Sequence, residues 1–219
     1  MVGLSTTQGA VNRWLVSLGP LACASLLAGA ARADAGWETA PATRRSGFHL
    51  GVEGGLALGA AQGYPDAHLD TSGFFTTSSG VGPAGTVWLG GALADAFNFG
   101  LGASLGSVTG GGKTSSATAF VFHLEGFPLF ARGGALRDLG LFAEFGAGTV
   151  HVRSTDGAEL GGGGGSMSLV GAGVFWETWR VLGGHVALGP FAGFQYQVSD
   201  AVSREVALVG VRSAFYGGP

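Results

Sequence analysis

One pattern constrains this chain more than any other. Eight times between residues 47 and 216, apolar residues alternate strictly with small or polar ones. In GFHLGVEGGLALG (47–59), Phe48, Leu50, Val52, Leu56 and Leu58 share one parity, while His49, Gly51, Glu53, Gly55 and Ala57 share the other. A period of two is the signature of a β-strand with two unlike faces. The further runs are VGPAGTVWLGGAL, FNFGLGASLGSV, TAFVFHLEGFP, DLGLFAEFGAGTV, SLVGAGVFWETW, HVALGPFAGFQYQV and REVALVGVRSAFY. No charged residue is assigned to the apolar parity in any of them. The other parity takes Glu53, Glu125, Glu144, Glu177 and Arg212, the histidines His49, His123 and His185, and most of the strand glycines.

That second face is wrong for a soluble exterior. Only 11% of the 219 residues are charged and 44 are glycine, against about 25% charged and about 7% glycine in an ordinary soluble domain. A secreted ligand-binding barrel would turn its apolar face inward and cover its outside with lysine and glutamate. Turning the sheet the other way removes the difficulty. Eight strands enclose a lumen just wide enough for side chains, so many inward positions must be small. Lipid on the outside accounts for the uncharged face, because arginine or lysine near a bilayer midplane costs about 2–4 kcal/mol. Closure also leaves no unpaired edge, which hydrocarbon does not tolerate. The fold expected is all-β: an eight-stranded antiparallel up-and-down transmembrane β-barrel over 47–216.

Residues 1–33 read as an export signal. Arg13 precedes WLVSLGPLACASLLAGA, and Ala31, Arg32 and Ala33 form a small-x-small cleavage site. Residues 34–46 are a short irregular lead-in on the periplasmic side. The single cysteine, Cys23, lies within the signal, so the remainder holds its fold without disulfides. Removing the signal takes away two of the eleven basic residues and none of the fourteen acidic ones, leaving 9 − 14 = −5. Nucleic acid, which wants a basic patch, is excluded as a partner. The long connections 60–80, 109–117, 153–165 and 198–204 are polar, glycine-rich loops expected outside the cell. The set 94–96, 128–138 and 178–184 is expected at the periplasmic end. Aromatic residues gather at that end (Phe48, Phe97, Phe99, Phe127, Phe130, Trp176, Trp179, Phe215 and Tyr216), as an interfacial girdle requires. In this register Trp88 points inward, and a bulge would reverse it.

The export signal, the eight alternating strands, the unequal loops and the aromatic-ended VALVGVRSAFY resemble the small outer-membrane barrels of the OmpA/OmpX type over Gly47 to Tyr216. The resemblance implies residence in the bacterial outer membrane as a monomer. It also implies contact with outer-membrane lipid including lipopolysaccharide, and assembly by the barrel-assembly machinery. An internal ion-pair network plugging the lumen is implied too. Strands one and eight are neighbours on closure, so Glu53 is expected to pair with Arg212, and Glu125, Glu144, Glu177, His49, His123 and His185 complete the network. Four carboxylates facing one arginine leave a deficit of positive charge.

Two other functions compete with a structural or surface-interaction role. A lipid A-modifying barrel enzyme of the deacylase type needs a His-x-Ser pair at the outer rim with an acid nearby. No His-x-Ser occurs; His151 and Ser154 are three apart, and His68, Asp70 and Ser72 share a loop. A narrow solute channel is the other alternative. GGGGG at 161–165 and GGG at 110–112 lack the strand-to-helix setting of a phosphate loop. They read as flexible hairpins, and no cofactor or metal is implied. Phe74 and Phe75, apolar residues in the longest loop, are the candidates for a surface contact.

Overall fold

The computed structural model describes residues 43–63, 75–76, 79–132 and 134–218; the expected export signal, most of the expected lead-in and Phe74 lie outside them. Eight long antiparallel strands make the wall: β1 (Ser46–Gly63), β2 (Gly80–Ala94), β3 (Phe97–Gly110), β4 (Lys113–Gly126), β5 (Leu139–Ser154), β6 (Glu159–Trp176), β7 (Val186–Ser199) and β8 (Val202–Gly218). Each pairs with its sequence neighbour, and β8 pairs with β1 to close the barrel. The closing register sets Leu50 opposite Phe215, Glu53 opposite Arg212 and Leu56 opposite Val209. No helix among the described residues is long and apolar enough to cross a membrane; the crossing is made by strands.

Burial follows parity. Leu50, Val52, Leu56 and Leu58 of β1 stand outside, as do Phe120 and Phe122 of β4 and Val209 and Val211 of β8, while Glu53, Ala57, Val121 and Arg212 are buried within. The outer belt is apolar and the backbone has no free edge, so this is a transmembrane barrel. Glu205, at the beginning of β8, is an exception to the uncharged parity and faces outward near one rim.

The strands, at 14–18 residues, are longer than a span requires. At about 3.3 Å per residue and a tilt of about 40°, sixteen residues rise roughly 40 Å, against an apolar band of about 25 Å. The extra length comes from segments expected as loops. Residues 109–117 are a two-residue hairpin whose Gly111 and Gly112 have φ of 61° and 72°, the left-handed pair that a tight hairpin turn requires. Thr109 and Thr114 bond across it at 3.0 Å, and Ser116 donates to Ser107 at 3.3 Å. The glycine run 161–165 belongs to β6, paired with β5 through Val150–Gly165 and His151–Gly164. Polarity there marks the part of the wall above the lipid, not an escape from the sheet.

The rim at Ser46 and Gly218 carries more irregular backbone. Residues 127–138 include a 3₁₀ turn (Ala135–Asp138), and 177–185 include a three-residue strand (Trp179–Val181) and a second turn (Leu182–Gly184). Inside, apolar side chains occupy much of the lumen. Val121, Val150, Val152, Met167, Leu169 and Val202 pack toward the far rim, and Phe142, Phe175, Phe191, Val206 and Leu208 across the middle. Trp88 is inward and buried, without a bulge, between His123 (ring centroids 3.9 Å apart) and His49 (6.1 Å). Gly51 makes the room: a Cβ there would lie 2.1 Å from the indole.

Candidate functional site

The site is the lumen itself, and its lower part is a plate of charge across the rim at Ser46 and Gly218. Arg45, the residue before β1, is fully buried with its guanidinium 3.5 Å above the Phe127 ring. Its Nη2 donates to Asp138 at 2.6 Å and to Glu177 at 2.9 Å, and its Nη1 to the Asp95 carbonyl at 3.3 Å. Asp95 sits in the β2–β3 turn and accepts the backbone N–H groups of Arg44 and Arg45, both at 2.8 Å. It also takes Nη2 of Arg137 at 2.6 Å. Arg44 pairs with Asp138, and Arg180 reaches Glu177 at 2.5 Å. A sharp turn and two irregular connections are thus riveted together by side chains.

From this plate a chain of polar contacts climbs the lumen. Glu177 accepts from Arg212 at 3.0 Å and from the Tyr216 hydroxyl at 2.5 Å. The other arm of Arg212 reaches Glu125 at 2.5 Å, and its guanidinium lies 4.0 Å from the Phe175 ring. Glu125 also accepts from Asn98 at 2.8 Å. His123 bridges Glu125 (3.2 Å) and Glu144 (3.0 Å) through its two ring nitrogens. Beyond Glu144 the links are Gln195 at 2.8 Å, Gln197 at 3.2 Å and finally Arg204 at 2.7 Å. One connected run of hydrogen bonds and ion pairs therefore extends from Arg44 to Arg204.

The sequence-derived set divides. Glu125, Glu144, Glu177, Arg212 and His123 come together in this chain. His49 stacks on Tyr216 (4.9 Å, 3° between rings) with Nε2 at 3.7 Å from Glu125, close enough for an ion pair but too far for a hydrogen bond. The Glu53–Arg212 pair is not made. The two face each other in register, yet both terminal nitrogens of Arg212 are taken by Glu125 and Glu177, and neither oxygen of Glu53 has a hydrogen bond. His185 is not in the lumen network: it lies half-buried at the rim, with Nδ1 2.9 Å from the Tyr216 carbonyl oxygen. Phe75 begins a two-residue strand whose backbone pairs with Gly63 and Gln62 of β1. His151 points outward, while the Ser154 hydroxyl donates to the Gly112 carbonyl at 3.4 Å.

Arg44, Arg45, Asp95, Arg137 and Arg180 lie outside the alternating runs, and Asp138 stands at the very start of one, so strand parity does not single them out. Their signal was the charge deficit. Four carboxylates facing one arginine demanded more cations, and Arg45 and Arg180 provide them from the lead-in and a connection. Chemically the arrangement satisfies buried charge by charge and occupies the passage.

No protein-family model matches the sequence, and no curated protein matches it. Among solved structures, Ail, the attachment invasion locus protein of Yersinia pestis, is 12% identical, with 76% of this chain and 98% of that one covered and a TM-score of 0.45. The outer membrane protein OprG from Pseudomonas aeruginosa is 12% identical over 80% and 100% of the two chains, at a TM-score of 0.42. The outer membrane enzyme PagL is 14% identical over 74% and 97%, at 0.39. The pairing of the chain's own strands into a closed eight-membered wall with an apolar outer belt is the architecture of the small outer-membrane barrels.

Proposed function

We propose that this chain is an integral protein of the bacterial outer membrane with a plugged lumen, acting as a structural element or through surface contacts at its far rim. The run of polar contacts from Arg44 to Arg204 inside a lipid-facing wall carries this reading. A conducting pore wants water-lined walls, whereas here guanidinium and carboxylate groups neutralise one another and apolar side chains fill the space between. The closed wall offers no strand edge to a second copy, which supports a monomer.

The far third of β3 to β6 supports contact with lipopolysaccharide. Outward-facing Thr109, Ser116, Thr118, Thr149, Ser166 and Ser168 give that part of the wall a hydroxyl surface, with Arg153 outward beside them. Hydroxyls and an arginine suit sugars and phosphates at the level where lipid A headgroups begin. Phe215, outward and stacked edge-on with Phe48 at 6.5 Å, is the aromatic suited to recognition by the barrel-assembly machinery; Tyr216 is turned into the lumen.

The test combines two measurements on one preparation. An outer-membrane fraction run on SDS gels cold and boiled gives a heat-dependent mobility shift if the closed barrel resides there. The same purified protein in planar bilayers gives no unitary current. Steady conductance would replace the plug with a channel, and a soluble periplasmic band without a shift would overturn the membrane assignment.

A further inference from the structure

The charged plate at the lower rim has an open hollow beside it, between the residues leading into β1 and the turn that follows Trp179–Val181. Its volume is about 360 Å³, and Thr43, Arg44, Asp138, Glu177, Arg180 and Gly184 bound it. At Gly184 the boundary is bare backbone, where an added Cβ would meet nothing within 4 Å. Arg44 is the accessible cation here: its side chain is 40% exposed, against 15% for Arg180 and none for Arg45. Among the described residues the one carboxylate paired with Arg44 is Asp138, which it shares with Arg45.

The acids of the plate are already engaged. Asp138 gives one oxygen to Arg44 and the other to Arg45. Glu177 gives one oxygen to Arg45 and Arg180, and the other to Arg212 and Tyr216. Five arginines (Arg44, Arg45, Arg137, Arg180 and Arg212) meet four acids (Asp95, Asp138, Glu177 and Glu125), which leaves one positive charge in excess among the described residues. A ligand entering the hollow therefore finds a guanidinium and hydroxyl groups, while both carboxylates already hold cations. That suits an anion and not an amine.

The surroundings indicate what carries the anion. Trp179 and Val181 pair with Leu188 and Val186 of β7 and extend the exposed outer face of the wall. Leu182, at the corner next to the hollow, is the most exposed large apolar side chain among the described residues, at 73%. Its φ of 53° lies in the left-handed region, which a branched residue rarely takes. The turn thus holds the leucine outside and leaves the Gly184 side uncovered. An apolar collar beside a cationic hollow, at the end of a lipid-facing wall, is the setting of a phospholipid headgroup.

We infer that this hollow binds the phosphodiester headgroup of an anionic phospholipid from the leaflet at the lower rim. Arg44 is the principal cation, the Thr43 hydroxyl donates to a phosphate oxygen, and the acyl chains lie along Trp179, Val181 and Leu182. The inference rests on the membrane placement proposed above and is independent of whatever the far rim engages.

The experiment counts retained lipid by native mass spectrometry. The barrel is refolded into neutral maltoside micelles doped with equal amounts of phosphatidylglycerol and phosphatidylcholine of the same chains. Each preparation is first checked for the cold-and-boiled mobility shift, so a failure of the barrel reading is seen apart from a failure of the site. Wild type retains one phosphatidylglycerol over phosphatidylcholine by about tenfold, the worth of one hydrogen bond to a charged group. Arg44→Gln brings the ratio close to one. Arg132→Gln, which removes an exposed arginine of the same rim outside the hollow, keeps the wild-type ratio. Thr43→Glu sets a like charge at an exposed residue of the hollow and also abolishes the preference, which keeps the test decisive should R44Q not fold. Excess glycerol phosphate leaves the lipid bound, since it has no chains for the collar. A wild-type ratio near one, an unchanged ratio in R44Q or T43E, or an equal fall in R44Q and R132Q would each overturn the inference. Displacement by glycerol phosphate would make the hollow a site for a soluble phosphate and overturn it too.

Discussion

Arg212 is the residue on which the lower lumen turns, and replacing it with methionine isolates its charge. Methionine keeps an unbranched side chain but removes the guanidinium, and with it the links to Glu125 at 2.5 Å and Glu177 at 3.0 Å and the contact with the Phe175 ring. The two carboxylates are left unequally provided. Glu177 keeps Arg45, Arg180 and Tyr216, whereas Glu125 keeps only Asn98 and the histidines. Hydrogen bonds to charged groups contribute about 1.5–3 kcal/mol each, so two give roughly 3–6. Breaking a buried pair by removing one partner costs about 3–5. Arg212→Met is therefore expected to lower stability by about 4 kcal/mol, read as a reduced urea midpoint for the barrel refolded into lipid vesicles. Tryptophan emission is an apt signal, since Trp88 lies 5.5 Å from the guanidinium. The double variant with Glu125→Gln is the sharper test. It abolishes the orphaned carboxylate, so the combined loss falls short of the sum of the single losses by about 1–3 kcal/mol. A loss below about 0.5 kcal/mol for R212M, or strict additivity in the cycle, would refute the reasoning.

Glu53→Gln contrasts with this, because both oxygens of Glu53 are buried without a hydrogen bond. The substitution leaves stability unchanged or raises it by up to about 1 kcal/mol, and a loss as large as that of Glu125→Gln would show that Glu53 has a partner after all. Gly51→Ala drives a Cβ to 2.1 Å from Trp88; overpacking of this kind costs about 1–3 kcal/mol and shifts the indole emission, whereas Gly54→Ala, with nothing within 4 Å, is neutral. Val211→Arg places a charge on the outer belt at a residue 61% exposed. It is expected to cost about 2–4 kcal/mol in vesicles, and tolerance of arginine there would argue that this face does not meet lipid.

Much of this barrel is legible in the sequence because parity is a local property. Phe48, Leu50 and Val52 declare an outward face within five residues, and no distant contact can move them to the other side without a one-residue slip. The same logic puts Glu53 opposite Arg212 and Trp88 inside. Side-chain choice obeys no such rule. An arginine in a lumen reaches over its neighbours, and Arg212 passes by the acid across the strand pair for Glu125 of β4 and Glu177 beyond β6. Register thus specifies where a charge starts, not which partner it selects. Strand boundaries are hidden for a different reason: polarity at 109–117 and 161–165 reads as loop, yet it marks wall that has risen out of the bilayer and needs no apolar coat.

Arg45 exposes the deeper limit of strand patterning. It belongs to no alternating run and stands in a segment expected to be irregular, yet it is wholly buried and holds Asp138 and Glu177. The sequence contained a clue of a global kind. A lumen assigned four glutamates and a single arginine does not balance, and a narrow lipid-clad cylinder has little water with which to balance it. The cations had to come from outside the strands, and the rim at Ser46 and Gly218 is where connections fold inward without breaching the wall. Arg204 poses the same accounting in reverse: a buried cation with no acid in reach among the described residues, held through Gln197. Charge balance within a closed barrel is thus a constraint on the whole chain, and at the lower rim the imbalance left by the strands is met from the segments between them.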